Sequence, residues 1–217
     1  AGVDLDMLAC AAPNSKRTIC VVSEGYLSFE IPLDALRPNP GEYGTSAALI
    51  RGVAAGAEQR GGRLTGLNIL ICSDVPPGSG LSSSAAFEVL AGNIFGYFFC
   101  GGGLDAVETA KSGRQAENLY FGKPCGLMDQ MASSIGGLTA IDFSCGEQPH
   151  VEKVECGISD YGSAMCIVNC GAGHGFESWF PSSASYDAQR ARGLVTCPAC
   201  GSAEVEKAVM APSVART

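Results

Sequence analysis

The sequence predicts a fold of mixed α and β class, and three observations carry that expectation. Segments rich in β-branched residues alternate with segments of helical composition. Nearly half of the 217 residues are apolar, 46%, ample for a packed core. No internal repeat or low-complexity tract points to a solenoid or a disordered chain.

Taken in order, residues 18–23, 26–31 and 67–72 read as strands and residues 46–59 as a helix between the second and third of them. Arg37-Pro-Asn-Pro-Gly41 is turn chemistry, because each proline fixes its own φ and pushes its predecessor out of the helical region. A helix follows the Gly-Ser-rich stretch after residue 72, with Leu90, Ile94 and Phe98 as its buried stripe. Residues 104–120 read as another helix, a further one opens near Met128, and residues 138–143 and 165–169 are strands. Beyond Gly171 the periodicity fades, leaving one weak helix over residues 204–210.

Fourteen Lys and Arg against 22 Asp and Glu give a net charge of −8, without a basic block, which argues against nucleic acid and anionic membranes as partners. The longest apolar run, residues 85–99, is interrupted by Glu88, Asn93 and Gly96 and is too short to span a bilayer. Eleven cysteines are an odd number and fall mostly in apolar, strand-like segments, so free buried thiols fit better than a disulfide framework. With an acidic start and no Asn-x-Ser/Thr sequon, the reading is cytoplasmic. Cys197-Pro-Ala-Cys200 is the one CxxC pair. With no second pair or nearby histidine in the sequence, it reads as a chance feature of a cysteine-rich chain.

The most informative stretch is Asp74-Val-Pro-Pro-Gly-Ser-Gly-Leu-Ser-Ser-Ser-Ala-Ala-Phe-Glu88. A strand runs into a glycine-rich turn and then a helix. Gly78 and Gly80 allow close backbone approach, and Ser82, Ser83 and Ser84 stand where the first helical N–H groups are unpaired. Such a turn is an anion cradle, and the helix dipole adds about half a positive charge there. A Walker loop is excluded because Gly-Leu-Ser stands where Gly-Lys-Ser/Thr is required. A nucleophile elbow lacks its last glycine, and a dinucleotide turn has Ser83 at its third glycine. A serine-capped helix with no ligand is the remaining alternative. A second stretch, Glu117-Asn-Leu-Tyr-Phe-Gly-Lys-Pro-Cys-Gly-Leu-Met-Asp129-Gln, turns between two helices. Met128, Met131, Ala132 and Ile135 form one apolar face, so Asp129 lies off it near a helix start, as a dipole partner or as a base beside a substrate hydroxyl.

Together, Pro77-Gly-Ser-Gly-Leu-Ser-Ser-Ser-Ala-Ala86, Ala116-Glu-Asn118 and Gly126-Leu-Met-Asp-Gln130 resemble the GHMP small-molecule kinases, and among them the galactokinases. The likeness runs from about Val3 to about His174 and includes Glu42-Tyr-Gly-Thr-Ser and Ile141-Asp-Phe. It implies an α+β N-terminal domain of the ribosomal protein S5 domain 2-like type over residues 1–163, incomplete at its start. Residues 164–217 would be the truncated beginning of the ferredoxin-like C-terminal domain. It also implies transfer of the γ-phosphoryl group of ATP, with Mg²⁺, to the anomeric hydroxyl of galactose. Carried over, Pro77, Gly78, Ser79, Gly80, Leu81, Ser82, Ser83 and Ser84 would wrap the triphosphate. Ser83, Ser84 and Glu117 would serve the metal. Asp129 would face the sugar hydroxyl as the catalytic acceptor, with Gly126 packed against the sugar and Tyr186 as a further sugar contact. Gln130 would support Asp129 or be solvated.

The family's first signature, an Arg-x-Asn-Leu-Ile-Gly-Glu-His-like segment, and its third, a glycine-rich loop, find no match. The expectation is a fragment or degraded copy, inactive as a kinase by itself and monomeric when complete. Two other readings stand beside it: a non-catalytic sugar- or nucleotide-binding relative, and a kinase for another small alcohol such as mevalonate or homoserine.

Overall fold

The computed structural model describes residues 5–75, 80–146, 148–155 and 164–208. They divide into two compact units, the first of residues 5–75 and 82–153, the second of residues 80–81 and 154–208.

In the first unit a four-stranded sheet has the order β1 (Met7–Pro13), β4 (Leu67–Ser73), β2 (Thr18–Ser23), β3 (Phe29–Pro32). The β2–β4 pair is parallel and the other two are antiparallel. Alternation sets the register: Ile19 lies opposite both Leu67 and Ile31, and Val21 opposite Ile69, all five positions buried on one face. Strand β1 carries none of the β-branched residues that mark strands in sequence. It forms because Met7, Ala9 and Ala11 meet the same core while its backbone pairs along β4. Strand β3 begins at Phe29, three residues later than expected, because Gly25 at φ +80° and the Tyr26 N–H to Ser23 O bond of 3.1 Å make residues 23–26 a turn.

Helices α1 (Ser46–Gln59) and α2 (Ser83–Phe99) contribute to the core beside the sheet, and α3 (Ala106–Ala116) packs on both. Thr45 caps α1 by accepting the Ala48 N–H at 3.3 Å. Small residues let α3 come close. A Cβ on Gly52 would lie 2.6 Å from that of Ala116, and one on Gly92 would lie 2.8 Å from Thr109 Cγ2. Helix α2 is therefore covered on two sides. Its fully buried positions include Ala85, Glu88, Gly92, Phe95 and Phe99, while the expected stripe of Leu90, Ile94 and Phe98 is only half-buried against the sheet-side core. A helix apolar on most of its circumference gives no single stripe to read.

Residues 104–120, expected as one helix, are α3 followed by a π-helical segment, Glu117–Phe121, ended by Gly122 at φ +80°. Helix α4 (Met128–Ile135) packs against α2 and α3, and β5 (Leu138–Asp142) and β6 (His150–Val154) form a two-stranded sheet. Met128, expected on the apolar face of α4, is exposed, whereas Gln130 is buried beside Met131.

The second unit is a three-stranded antiparallel sheet, β8 (Gly175–Phe180), β7 (Ala164–Cys170), β9 (Val205–Lys207), with helix α5 (Ser183–Ala191). Its core gathers Cys166, Val168, Cys170, Phe180, Tyr186, Val195, Cys197 and Val205. Residues 205–207, expected within a weak helix, form a strand, since pairing with β7 overrides local preference. No helix among the described residues is long and apolar enough to cross a membrane. The described cysteines are free, but Cys10, Cys72, Cys145 and Cys200 are exposed, so the expectation of mostly buried thiols holds for only part of the chain.

Candidate functional site

Within the first unit, the loop that opens α4 meets the start of α2. Ser82, the residue before the helix, has φ +55°, and it is the non-glycine residue with positive φ among those described. In that left-handed conformation its hydroxyl does not cap the helix. It donates to Asp129 Oδ2 at 2.6 Å instead, so that the exposed carboxylate is held at the opening of α2. The first N–H groups of α2 consequently have no capping side chain from Ser82, and the positive end of a 17-residue helix faces that spot.

Two residues along, Ser84 Oγ donates to Glu117 Oε1 at 3.2 Å. Glu117 is buried, and Lys123 Nζ lies 3.2 Å from the same carboxylate oxygen. Its other oxygen accepts from Gln130 Nε2 at 2.9 Å, and the same nitrogen lies 3.0 Å from Glu88 Oε2. Gln130 thus bridges two acids and leaves Asp129 to Ser82. That differs from its expected part as a support for Asp129, because its side chain points into the α2–α3–α4 junction. Glu88 is fully buried; burial, reinforced by the charge of Glu117, pushes its carboxyl up to about 9. A neutral Glu88 beside Glu117 avoids placing two charges in one dry pocket.

The π-helical turn supplies the geometry. It starts at Glu117, and Asn118 then ties the following loop by accepting the Cys125 N–H at 2.7 Å and donating to Cys125 O at 3.4 Å. That clamp fixes the loop before α4, from which Asp129 reaches the start of α2. Gly126 is exposed, and a Cβ built there would meet nothing within 4 Å, so free space adjoins it.

The structure therefore brings Ser82, Ser84, Glu117 and Asp129 into one cluster. Ser83 opens α2 half-buried, and Gly80 has φ +78°, as a turn of this kind requires. Leu81 is half-buried, whereas Pro77, Gly78 and Ser79 lie outside the described residues. Tyr186 belongs to the second unit: its ring is buried edge-on against Phe180, 5.1 Å between centroids, and presents no surface to a sugar. The sequence reading missed Lys123 and the role of Glu88, which it used only as a polar break in an apolar run. An acid in the middle of that run was the available signal.

Comparison with known proteins agrees with this architecture. Residues 44–137 match the family model described as GHMP kinases N terminal domain. Residues 166–217, where a second kinase domain was expected to open, match a different model, Protein of unknown function (DUF1178). Similar solved structures include a galactokinase from Lactococcus lactis in complex with galactose, 22% identical with a TM-score of 0.63, covering 88% of this chain and 48% of that one. A D-glycero-D-manno-heptose 1-phosphate kinase from Bacteriodes thetaiotaomicron is 20% identical, with a TM-score of 0.62 and coverages of 77% and 54%. A mevalonate kinase from Methanococcus jannaschii is 18% identical, with a TM-score of 0.60 and coverages of 76% and 51%. The chain spans about half the length of these solved structures. The α+β fold is that of the GHMP kinase N-terminal domain.

Proposed function

We propose that the first unit is the nucleotide-binding and acceptor-binding part of an ATP-dependent small-molecule kinase, with the anomeric hydroxyl of galactose as the phosphoryl acceptor. The observation that carries this reading is the Ser82–Asp129 hydrogen bond, which sets a carboxylate at a helix start that the Ser82 side chain does not cap. Phosphoryl transfer asks a protein chiefly to position two substrates and to balance charge. The α2 start offers backbone donors and a positive dipole to a triphosphate. Asp129 lies where an acceptor hydroxyl bound beside Gly126 would find a proton acceptor. Ser82 orients that carboxylate.

The donor set also suits Mg²⁺. Ser84 Oγ and Glu117 Oε1 are hard oxygen ligands 3.2 Å apart, and the cation's ordinary chemistry is to neutralise charge on transferring phosphates. Lys123, half-exposed, balances Glu117 and can turn toward an anion. The choice of galactose rests on the likeness of Gly126-Leu-Met-Asp-Gln130 and Ala116-Glu-Asn118 to galactokinases. Mevalonate and heptose phosphates are the alternatives that the shared fold leaves open.

Titration calorimetry of the 217-residue chain tests the reading. We expect saturable binding of Mg²⁺-ATP that weakens in Ser84→Ala, and galactose binding preferred over mevalonate. Asp129→Asn should cost galactose about tenfold or more in affinity, the worth of a hydrogen bond to a charged group, and leave Mg²⁺-ATP nearly unchanged. Absence of nucleotide binding, or equal galactose affinity in Asp129→Asn, refutes the assignment.

A further inference from the structure

The Cys197–Cys200 pair stands alone in the sequence, and the second unit supplies its other half. Strand β7 ends at Cys170, and the chain turns back into β8 through a glycine-rich loop. Gly173, at φ +83°, donates its N–H to Cys170 O at 2.8 Å, and the Cys170 N–H donates to His174 O at 3.0 Å. A second tight turn is built the same way. Gly201, at φ +72°, donates to Cys197 O at 2.8 Å, and the Cys197 N–H donates to Ser202 O at 2.8 Å. Pairing of β9 with β7, where Cys170 faces Val205 and the Gly171 N–H meets Glu204 O at 2.9 Å, lays the two turns side by side. The ligand atoms of Cys170, His174, Cys197 and Cys200 all lie within 4.8 Å of one another.

We propose that these four residues form a structural zinc site of the Cys₃His type. The separations are those of a tetrahedron's edges: Cys170 Sγ to Cys200 Sγ 3.8 Å, Cys170 Sγ to His174 Nδ1 3.4 Å, and Cys197 Sγ to His174 Nδ1 3.7 Å. Zinc–sulfur bonds of about 2.3 Å and zinc–nitrogen bonds of about 2.0 Å place tetrahedral neighbours about 3.8 Å apart for two sulfurs and about 3.5 Å for sulfur and nitrogen. A disulfide needs about 2.05 Å between sulfurs, far below the 3.8 Å found. Three thiolates and an imidazole suit Zn²⁺ over hard cations, and four protein ligands leave no open position for a substrate, which makes the site structural. On binding, the three thiols give up their protons to solvent and the ion takes the thiolates.

The fold also needs such a cross-link. The second unit closes around a small core, in which Cys170 and Cys197 are themselves members. Units of this size rarely stand on burial alone and commonly gain a metal. Placing ligands on two separate turns, one after β7 and one before β9, ties the ends of the unit together.

Metal analysis of the purified 217-residue chain tests the site. We expect one zinc per chain, lost in Cys197→Ser and Cys200→Ser, and kept in His174→Cys, where a thiolate replaces the imidazole, and in Cys145→Ser, an exposed cysteine elsewhere. Exchange into Co²⁺ should give the intense visible bands of a tetrahedral thiolate site in the unaltered chain and none in Cys200→Ser. A chain that holds no stoichiometric Zn²⁺ or Co²⁺ after reconstitution, or a cobalt spectrum unmoved by Cys200→Ser, overturns the proposal. Because the unaltered chain and His174→Cys are both read, a variant that fails to fold does not shelter it.

Discussion

Replacing Glu88 by glutamine should remove a pH dependence of stability that the first unit carries in its core. Glu88 is fully buried, accepts from Gln130 Nε2 at 3.0 Å, and has its second oxygen without a hydrogen-bond partner among the described residues. Burial first, and the charge of Glu117 second, raise its carboxyl from the ordinary 4.5 to about 9. Between those two values the unfolded chain has lost the proton that the folded chain keeps. Glu88's contribution is therefore fully present below 4.5 and is lost as pH rises through about 9. The slope is about 1.4 kcal/mol per pH unit, so between pH 6 and pH 8 the contribution falls by about 3 kcal/mol. In Glu88→Gln the side chain keeps its shape and has no proton to lose. Urea unfolding followed by far-ultraviolet circular dichroism, which reports the helices of the first unit, should show stability declining with pH in the parent relative to the variant. At pH 8 the variant should be the more stable by comparison with their difference at pH 6. A parent-minus-variant difference that stays constant from pH 6 to pH 8 would refute the argument that this carboxyl is neutral in the fold.

Two further outcomes follow from the same unit. Glu42 accepts Arg51 Nε at 2.8 Å and Nη2 at 2.6 Å, and these hydrogen bonds hold its carboxyl below the ordinary 4.5. Its stabilisation is present above that value and lost as pH falls through the lowered one, so Glu42→Gln should cost about 2 kcal/mol at neutral pH and little in acid; an equal cost at pH 7 and pH 3, by thermal melting, would contradict it. Gly52→Ala should destabilise by about 1–3 kcal/mol despite alanine's better helix propensity, because the added Cβ meets Ala116 at 2.6 Å and backbone must move; a rise in melting temperature would show that α1 and α3 separate at no cost.

How much was legible in the sequence depended on whether a residue's neighbours were local. Strands β2 and β4 and helix α1 could be read because their apolar periodicity is their own, and α4 because a proline–glycine turn marks its start. Strand β1 could not, since its alanines acquire strand geometry only from the partner strand. Of the cluster, Ser84, Glu117 and Asp129 were singled out through motif order, but Gln130 was expected beside Asp129 or in solvent, because its partners Glu88 and Glu117 come from other elements. The metal cluster is the sharpest case. Cys170 and His174 sit 23 or more residues before Cys197, and only the β7–β9 pairing makes them neighbours.

The run Ser82-Ser-Ser84 looks redundant in sequence, yet its members hold three different positions. Ser83 is the first helical residue, and Ser84 reaches Glu117 across the gap to the π-helical turn. Ser82 occupies a conformation that glycine would adopt without strain, at a cost of about 1–2 kcal/mol for a residue with a Cβ. Its hydrogen bond to the exposed carboxylate acts against that strain. Glycine at 82 would relieve the backbone but release Asp129. A serine in the ordinary capping conformation would instead satisfy the first N–H groups of α2 and close the helix start to an anion. A residue that is both left-handed and hydroxyl-bearing withholds its side chain from the helix N–H groups and keeps the carboxylate beside them, which is the juxtaposition on which the proposed phosphoryl transfer depends.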